Sequence, residues 1–469
     1  MEFTEPYKHT NPNLCKFSPN SNYLALTLNN NLIVRDSESL DNVIVFNCES
    51  KIDYFEFDQD SNLILCLIKN LRIIQFWSLS NLEWTGKLTN TLFEISEAGW
   101  VPNNKFFWSF AEPSLRLTIF SISSDEIGYI QNVKFGKKGM TYREDKLFVA
   151  ILERKDGKDY IGIYNTENWD MKRNFVLESI DAQGILWSPN GQFIVVWESC
   201  VENKLWVYSP IGELITTYQS QQVGLGIKVI NWSPMSKYLI LSHHNQSIEL
   251  LNTFSWKPSI VFNHFQHFRN TDIDLYEELD NPTWKHLLDP GLIGDGGSLL
   301  PPPKEKNKEA RYTIAKLPFS IPTIPLEYDK PDPAIGASIC SFNSDGTLVV
   351  SKNDNMPNNL WIWSVQSQKL IAFSNQLLPI KQAIWNPVDP NQLTFVCGNK
   401  HIYLWTLEIG FECFEIPFNE FIIKNIDWSP DGSSIVLSSR DTFCLGFPIL
   451  EVNNAGEDDA ADGGNVENS

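Results

Sequence analysis

The chain has 469 residues, a formal net charge of −20, 42% hydrophobic and 20% charged residues. That length exceeds one ordinary compact domain. The acidic balance opposes direct binding to nucleic acid, anionic membranes or the acidic outer surface of microtubules, each of which needs Lys and Arg against negative charge. Met1 to Glu5 is acidic and lacks the apolar core of a secretory signal, and runs such as Leu63 to Ile68 are too short to span a bilayer. The 8 Cys show no CxxC spacing and read as packing thiols in a reducing compartment. A soluble chain of the cytoplasm is expected.

Along the chain an aromatic residue repeatedly runs into a short polar turn. Clear copies are Phe17-Ser18-Pro19-Asn20-Ser21, Trp187-Ser188-Pro189-Asn190-Gly191, Trp232-Ser233-Pro234-Met235-Ser236 and Trp428-Ser429-Pro430-Asp431-Gly432; weaker ones begin at Phe57, Trp100, Tyr142, Phe342 and Trp385. The starts recur about every 40–45 residues, the period of stacked four-stranded units, which predicts the blades of a propeller. The second copy shows the unit. Ile52 to Phe57 predicts a strand, Asp58 to Ser61 its turn, Leu63 to Ile68 a second strand, Arg72 to Ser78 a third, and Glu83 to Leu88 a shorter, more polar fourth. A recurring third strand, from Leu32 to Asp36 through to Phe443 to Phe447, gives the same number of units as the turns do.

The ends predict how the ring closes. The last unit has no fourth strand before Pro448, and Glu2 to Lys8 precedes the first unit with nothing else to pair with. These residues are expected to supply the missing outer strand and remove the exposed edges. One gap, from Trp232 to Phe342, is roughly 110 residues and marks an insertion over about 264–332, between units six and seven. Its interior carries Gly291 to Gly297, Pro301-Pro302-Pro303 and a basic stretch, Lys304 to Lys316, and predicts a partly disordered loop. Residues 1–450 are thus read as one propeller and 451–469 as a disordered acidic tail.

No catalytic constellation, phosphate loop or dinucleotide motif is present in the sequence, so no enzyme and no cofactor are expected. His264, His267, Asp272 and Asp274 have metal-like composition, yet they read as a solvated loop, and no metal is expected. His243-His244 reads as surface decoration. Loop lengths say more. Turns between second and third strands open on the same face as the links between blades, opposite the aromatic turns. Three of them are long: Glu153 to Asp159, Glu198 to Asn203 and Lys352 to Asn359. With the insertion they gather on one face of blades four to seven, the layout of a partner site. The expected contact residues are Arg154, Lys155, Asp156, Lys158 and Asp159; Glu202 and Asn203; and Asn353, Asp354, Asn355, Met356, Pro357 and Asn358. Replacing Asp354 to Pro357 by alanine is expected to spare folding and weaken partner capture.

Four strings carry a resemblance: Leu14 to Pro19, Glu153 to Tyr160, Leu225-Gly226-Ile227-Lys228 ahead of Trp232-Ser233-Pro234, and Asn353 to Asn358. They are similar to the WRAP-type WD-repeat proteins of centrosomes and spindle pole bodies, collinearly from about residue 2 to 448. The Gly-His and Trp-Asp dipeptides usual in WD repeats are nearly absent, so packing is expected to replace their His–Asp hydrogen bonds. The resemblance implies a non-enzymatic adaptor with a coiled-coil microtubule-anchoring centrosomal partner and, in fungi, a minus-end-directed kinesin. It implies anchoring of microtubule minus ends, spindle organisation and cilium assembly where cilia exist, with residence at the centrosome, microtubule-organising centre or spindle pole. A propeller scaffold of the translation-initiation machinery is the alternative. The fold expected is all-β: a single ring of about nine four-stranded blades, or eight, closed by the N-terminal strand.

Overall fold

Short runs of β-branched and aromatic residues between Asn, Asp, Ser and Gly turns have one favourable outcome, the antiparallel hairpin. In a computed structural model describing residues 1–89, 94–123, 127–199, 201–219, 225–279, 311–325 and 333–448, such hairpins build nine blades. They span residues 15–47, 54–89, 97–131, 140–176, 184–219, 227–263, 337–375, 382–415 and 425–447. The expectation of nine holds, and eight is excluded. Within each blade the second and third strands are largely buried on both faces, as Leu63–Ile68 and Ile73–Ser78 show. Both faces are covered because each core is shared: Ala25, Leu32 and Val34 of the first blade pack with Phe55, Ile64 and Cys66 of the second. No helix among the described residues is long and apolar enough to cross a membrane.

The aromatic turns hold the blades together along one rim. Four residues after the aromatic, the backbone turns left-handed: Ser21, Ser61, Asn104, Lys146, Gly191, Ser236, Gly346 and Gly432 all have φ between 56° and 76°. That geometry explains the small or polar residues there. The Ser of the turn accepts the N–H that closes it, as Ser18 Oγ does from Tyr23 at 2.9 Å, and donates to Asn20 Oδ1 at 2.7 Å. Adjacent turns are stitched through the left-handed residue. The Asn20 N–H donates to Ser61 Oγ (3.1 Å), that of Asn190 to Ser236 Oγ (2.9 Å), and that of Asp431 to Ser21 Oγ (3.0 Å). The last of these joins the ninth blade to the first.

Closure follows the expected route. Glu2–Phe3 and Tyr7–Lys8 both pair antiparallel with Thr442–Phe447. Between them the chain bulges at Thr4 to Pro6, and Thr4 keeps the ladder alive by accepting the Leu445 N–H on Oγ1 at 2.9 Å. Tyr7 stacks on Phe443 with centroids 5.7 Å apart, and Arg35 of the first blade lies 4.4 Å over the Tyr7 ring. The clasp therefore touches both blades that it joins.

The flanks of the insertion are not loop. Leu275–Glu278 runs parallel to Lys369–Asn375, the outer strand of blade seven, and Tyr312–Ile314 pairs with it in turn, giving a six-stranded sheet. His267–Phe268 pairs with Phe319–Ser320 beside it. These strands cover Trp361 and Phe373, which are wholly buried. The Gly- and Pro-rich interior, 280–310, lies outside the described residues, as does the acidic tail from 449 onward.

His264 and His243-His244 are also placed differently from expectation, because all three are buried. His264 Nδ1–H donates to the Gln246 carbonyl (2.7 Å), and its Nε2 accepts from Ser351 Oγ (2.9 Å). Ser351 in turn accepts the Trp363 indole N–H (2.8 Å). Blade seven therefore retains a buried hydrogen-bond relay that packing was expected to replace.

Two predictions follow from closure and burial. Deleting residues 1–10 exposes the last ladder and should lower the melting temperature by more than about 5 °C, measured by calorimetry. Burial lowers the His264 imidazole from 6.5 to about 4. The unfolded chain therefore binds a proton before the fold does. Its contribution is complete above about pH 6.5 and drains as pH falls toward 4, by up to about 3 kcal/mol. A His264→Gln variant should show a shallower fall in melting temperature from pH 7 to 4.5 than the parent chain.

Candidate functional site

The face opposite the aromatic turns begins with the longest hairpin in the ring. Phe148–Lys155 and Lys158–Asn165 are continuous strands joined by Asp156-Gly157 alone. Both turn residues have positive φ, 50° and 77°, as a tight two-residue hairpin requires. The stretch from Glu153 to Asp159 is thus not a long turn, since the extra length lies in strands that rise above the face.

At the base of this hairpin sits a charge cluster. Asp159 is fully buried and accepts from Lys134 Nζ (3.0 Å), Arg154 Nη1 (3.0 Å) and the Ala182 N–H (2.7 Å). Asp181 takes the same two cations at 2.6 and 3.1 Å, and the Lys134 hydrogen bond leads in holding its carboxyl below the ordinary range. Three donors satisfy Asp159, so its burial is tolerated. The cluster ties the links on either side of blade four to the hairpin, and Asp159 serves structure below the surface. Lys155, Asp156 and Lys158 remain exposed at the tip.

The second loop divides in the same way. Glu202 is exposed, while Asn203 is buried with φ 52°. Gly226 packs so closely on Asn203 that a Cβ there would meet it at 2.6 Å.

The third loop is a braced turn. Asn353, Asn355 and Met356 are buried, and Asp354, Pro357 and Asn358 are half-buried. Asn353 Nδ2 donates to Gln246 Oε1 (3.0 Å), and the Asn355 carbonyl accepts from the Ile324 N–H of the insertion (2.8 Å). Asn358 Nδ2 reaches the Gln376 carbonyl (3.0 Å), and the Ile380 N–H donates to the Pro357 carbonyl (2.9 Å). Two lysines converge on Asp354, Lys228 at 2.8 Å and Lys352 at 2.9 Å, and Ser338 donates at 2.6 Å. Burial alone would raise that carboxyl, but these three bonds outweigh it and hold its pKa below the ordinary value. Each loop is thus braced against the links and strands beside it, and of the thirteen expected contact residues only Lys155, Asp156, Lys158 and Glu202 are exposed.

One further group converges beyond these loops. Glu278 of the insertion, with His401 and Cys413 of blade eight, brings three ligand-type atoms within 4.8 Å of one another. Each already has a partner: Glu278 accepts from Tyr403 Oη (2.8 Å) and the Leu377 N–H (2.9 Å), while Arg311 bonds His401 and lies 3.8 Å from Cys413 Sγ. Arg311 also pairs with Glu415 at 2.6 Å. Arg311 thus serves His401, Cys413 and Glu415 at once, and the cluster pins the insertion to blade eight. Sequence inspection misses it because the members are far apart along the chain.

Removing Asp354 would take the carboxylate away from two lysines whose side chains are 11% and 12% exposed. Asp354→Ala should therefore cost about 3 kcal/mol, read as a lower urea midpoint. The four-alanine change over Asp354 to Pro357 also removes buried Met356, so it should damage folding rather than spare it.

No family-level sequence profile matches the chain. Over 453 residues it is 31% identical to the WD repeat-containing protein WRAP73 of Mus musculus, covering 95% of this chain and 96% of that protein. It is 24% identical over 480 residues to an uncharacterized WD repeat-containing protein of Schizosaccharomyces pombe, covering 96% and 93% of the two chains. The crystal structure of the C-terminal WD40 domain of Sif2 superposes with a TM-score of 0.50 at 10% identity, over 95% of this chain and 98% of that one, a likeness of fold alone. With a relative this similar along nearly all of both lengths, and a ring of WD-type blades to carry the similarity, the chain belongs to the WRAP-type family of WD-repeat scaffold proteins.

Proposed function

We propose that this chain is a non-enzymatic scaffold of the centrosome or spindle pole. In this reading it anchors microtubule minus ends through a coiled-coil partner, with a minus-end-directed kinesin as a second associate. It supports spindle organisation, and cilium assembly where cilia exist. The observation that carries the reading is the near-full-length similarity to WRAP73, over 95% of this chain and 96% of that protein. Two physical features support it. A propeller presents its loops on a stiff ring, which suits a protein that holds others in place. A chain at −20 is repelled by the acidic surface of microtubules, so tubulin is reached through an intermediary.

The test is to image the tagged full-length chain through mitosis and to identify the proteins copurifying with it from mitotic cells. Foci at the spindle poles and enrichment of a centrosomal coiled-coil protein are expected. A diffuse signal with no such protein, or cosedimentation with ribosomes, would overturn the assignment.

A further inference from the structure

Two cysteines meet in the core shared by blades one and two. Cys48 lies in the link just after the outer strand of blade one, and Cys66 lies in the second strand of blade two. Backbone contacts fix their approach. The Cys48 N–H donates to the Asn30 carbonyl (3.0 Å), and the next residue, Glu49, donates its N–H to Gln75 Oε1 (3.1 Å). Gln75 stands directly across the ladder from Cys66. Phe46 and Trp77 of the same cluster stack beside them, with centroids 4.9 Å apart. Within this corner the Cys66 thiol donates a hydrogen bond to Cys48 Sγ. That bond sets Cys48 apart. Burial pushes up the thiols of Cys15, Cys66, Cys340, Cys397, Cys413 and Cys444. Cys48 alone among the described cysteines is held below the ordinary thiol range, because the Cys66 hydrogen bond favours its thiolate. It also keeps 8% exposure, whereas Cys66 has none.

We propose that Cys48 and Cys66 are a redox pair that a hydroperoxide converts to a disulfide. The Cys48 thiolate attacks one peroxide oxygen and the O–O bond breaks. The other oxygen leaves as hydroxide or alkoxide and takes the proton that the thiol gave up, and Cys48 becomes a sulfenic acid. Cys66 then attacks the Cys48 sulfur. The S–S bond forms, and the sulfenic oxygen leaves as water with the Cys66 proton. Two thiols thus lose two electrons and two protons, and the peroxide takes them up. A thiol such as glutathione reverses the change by exchange. The roles follow from placement: the thiol at the surface attacks, and the one beneath it resolves. The bond ties the first link of the ring to the interior of blade two. This site is separate from the loops of blades four to seven and does not depend on the scaffold role.

The test treats the reduced, folded, full-length chain with a small excess of hydrogen peroxide, blocks remaining thiols with N-ethylmaleimide, and maps tryptic peptides by mass spectrometry. Lys51 lies between the two cysteines, so trypsin releases them on separate peptides that only the disulfide joins. The Cys48–Cys66 linked pair should appear, vanish on treatment with dithiothreitol, and form about tenfold or more faster than oxidation of Cys340. Cys66→Ala should leave a Cys48 sulfenic acid that dimedone traps, and Cys48→Ala should leave Cys66 fully alkylated once the chain is unfolded. The parent's peptide map decides by itself even where an alanine in this core unfolds the chain. No linked pair, Cys48 joined instead to another cysteine, oxidation of Cys340 at the same rate, or a linked pair formed only in urea would each overturn the proposal.

Discussion

Everything in this molecule depends on the ladder between the N-terminal segment and the last long strand. Each blade buries its sheet faces against both neighbours, so an open ring would leave two such faces in water. At the seam, Leu24 and Leu26 of the first blade pack with Val436, Phe443 and Leu445 of the ninth. A fully buried aliphatic or aromatic side chain contributes roughly 1.5–3 kcal/mol, so the seam is too costly to leave open. The clasp holds one side of it by main-chain hydrogen bonds and a stacked tyrosine, and the Asp431–Ser21 bond holds the rim of the aromatic turns.

The two faces of the ring do different physical work. On one, similar turns repeat a single device: a left-handed residue that bends the chain and, where it is Ser or Asn, also accepts from the preceding turn. On the other, no device repeats. There the links between blades, the long hairpin and the insertion are fastened individually, by Asp159 and its cations, by the close approach at Gly226, and by Asp354 between two lysines. A stiff base under varied, well-supported loops suits recognition, since little ordering is left to be done on binding.

The frame was legible because its signals are local. An aromatic residue, a Ser and a small residue within five positions state a turn, and their recurrence states the ring. Closure was legible as well, because a missing strand at one end matched a spare strand at the other. The misreadings concern groups whose partners are distant. Leu275-Tyr276-Glu277-Glu278 is too short and too acidic to announce a strand, and it becomes one only by lying against Phe373 and Ser374. His264 looked solvated because Ser351 and Trp363, which hold it, are far along the chain. The expected contact loops were located by length, which cannot distinguish an exposed Lys158 from a buried Asp159. Turn eight departs from the pattern because Pro387 and Pro390 widen it, and Asn386 compensates by donating to the Gly432 carbonyl of the next turn at 3.1 Å.

Thr4 and Leu445 are bonded although they lie 441 positions apart. Synthesis runs from the N-terminus, so residues 2–8 leave the ribosome long before the strand that they complete. Until then the first blade waits with one sheet face uncovered, and the clasp strand waits with unpaired backbone groups, a state open to mispairing with other chains. The ring cannot lock in pieces as it emerges; its final bonds form only after the ninth blade is released. A nearly complete propeller therefore stays unclosed until that release, and the strand that comes first in the chain is the last to find its place.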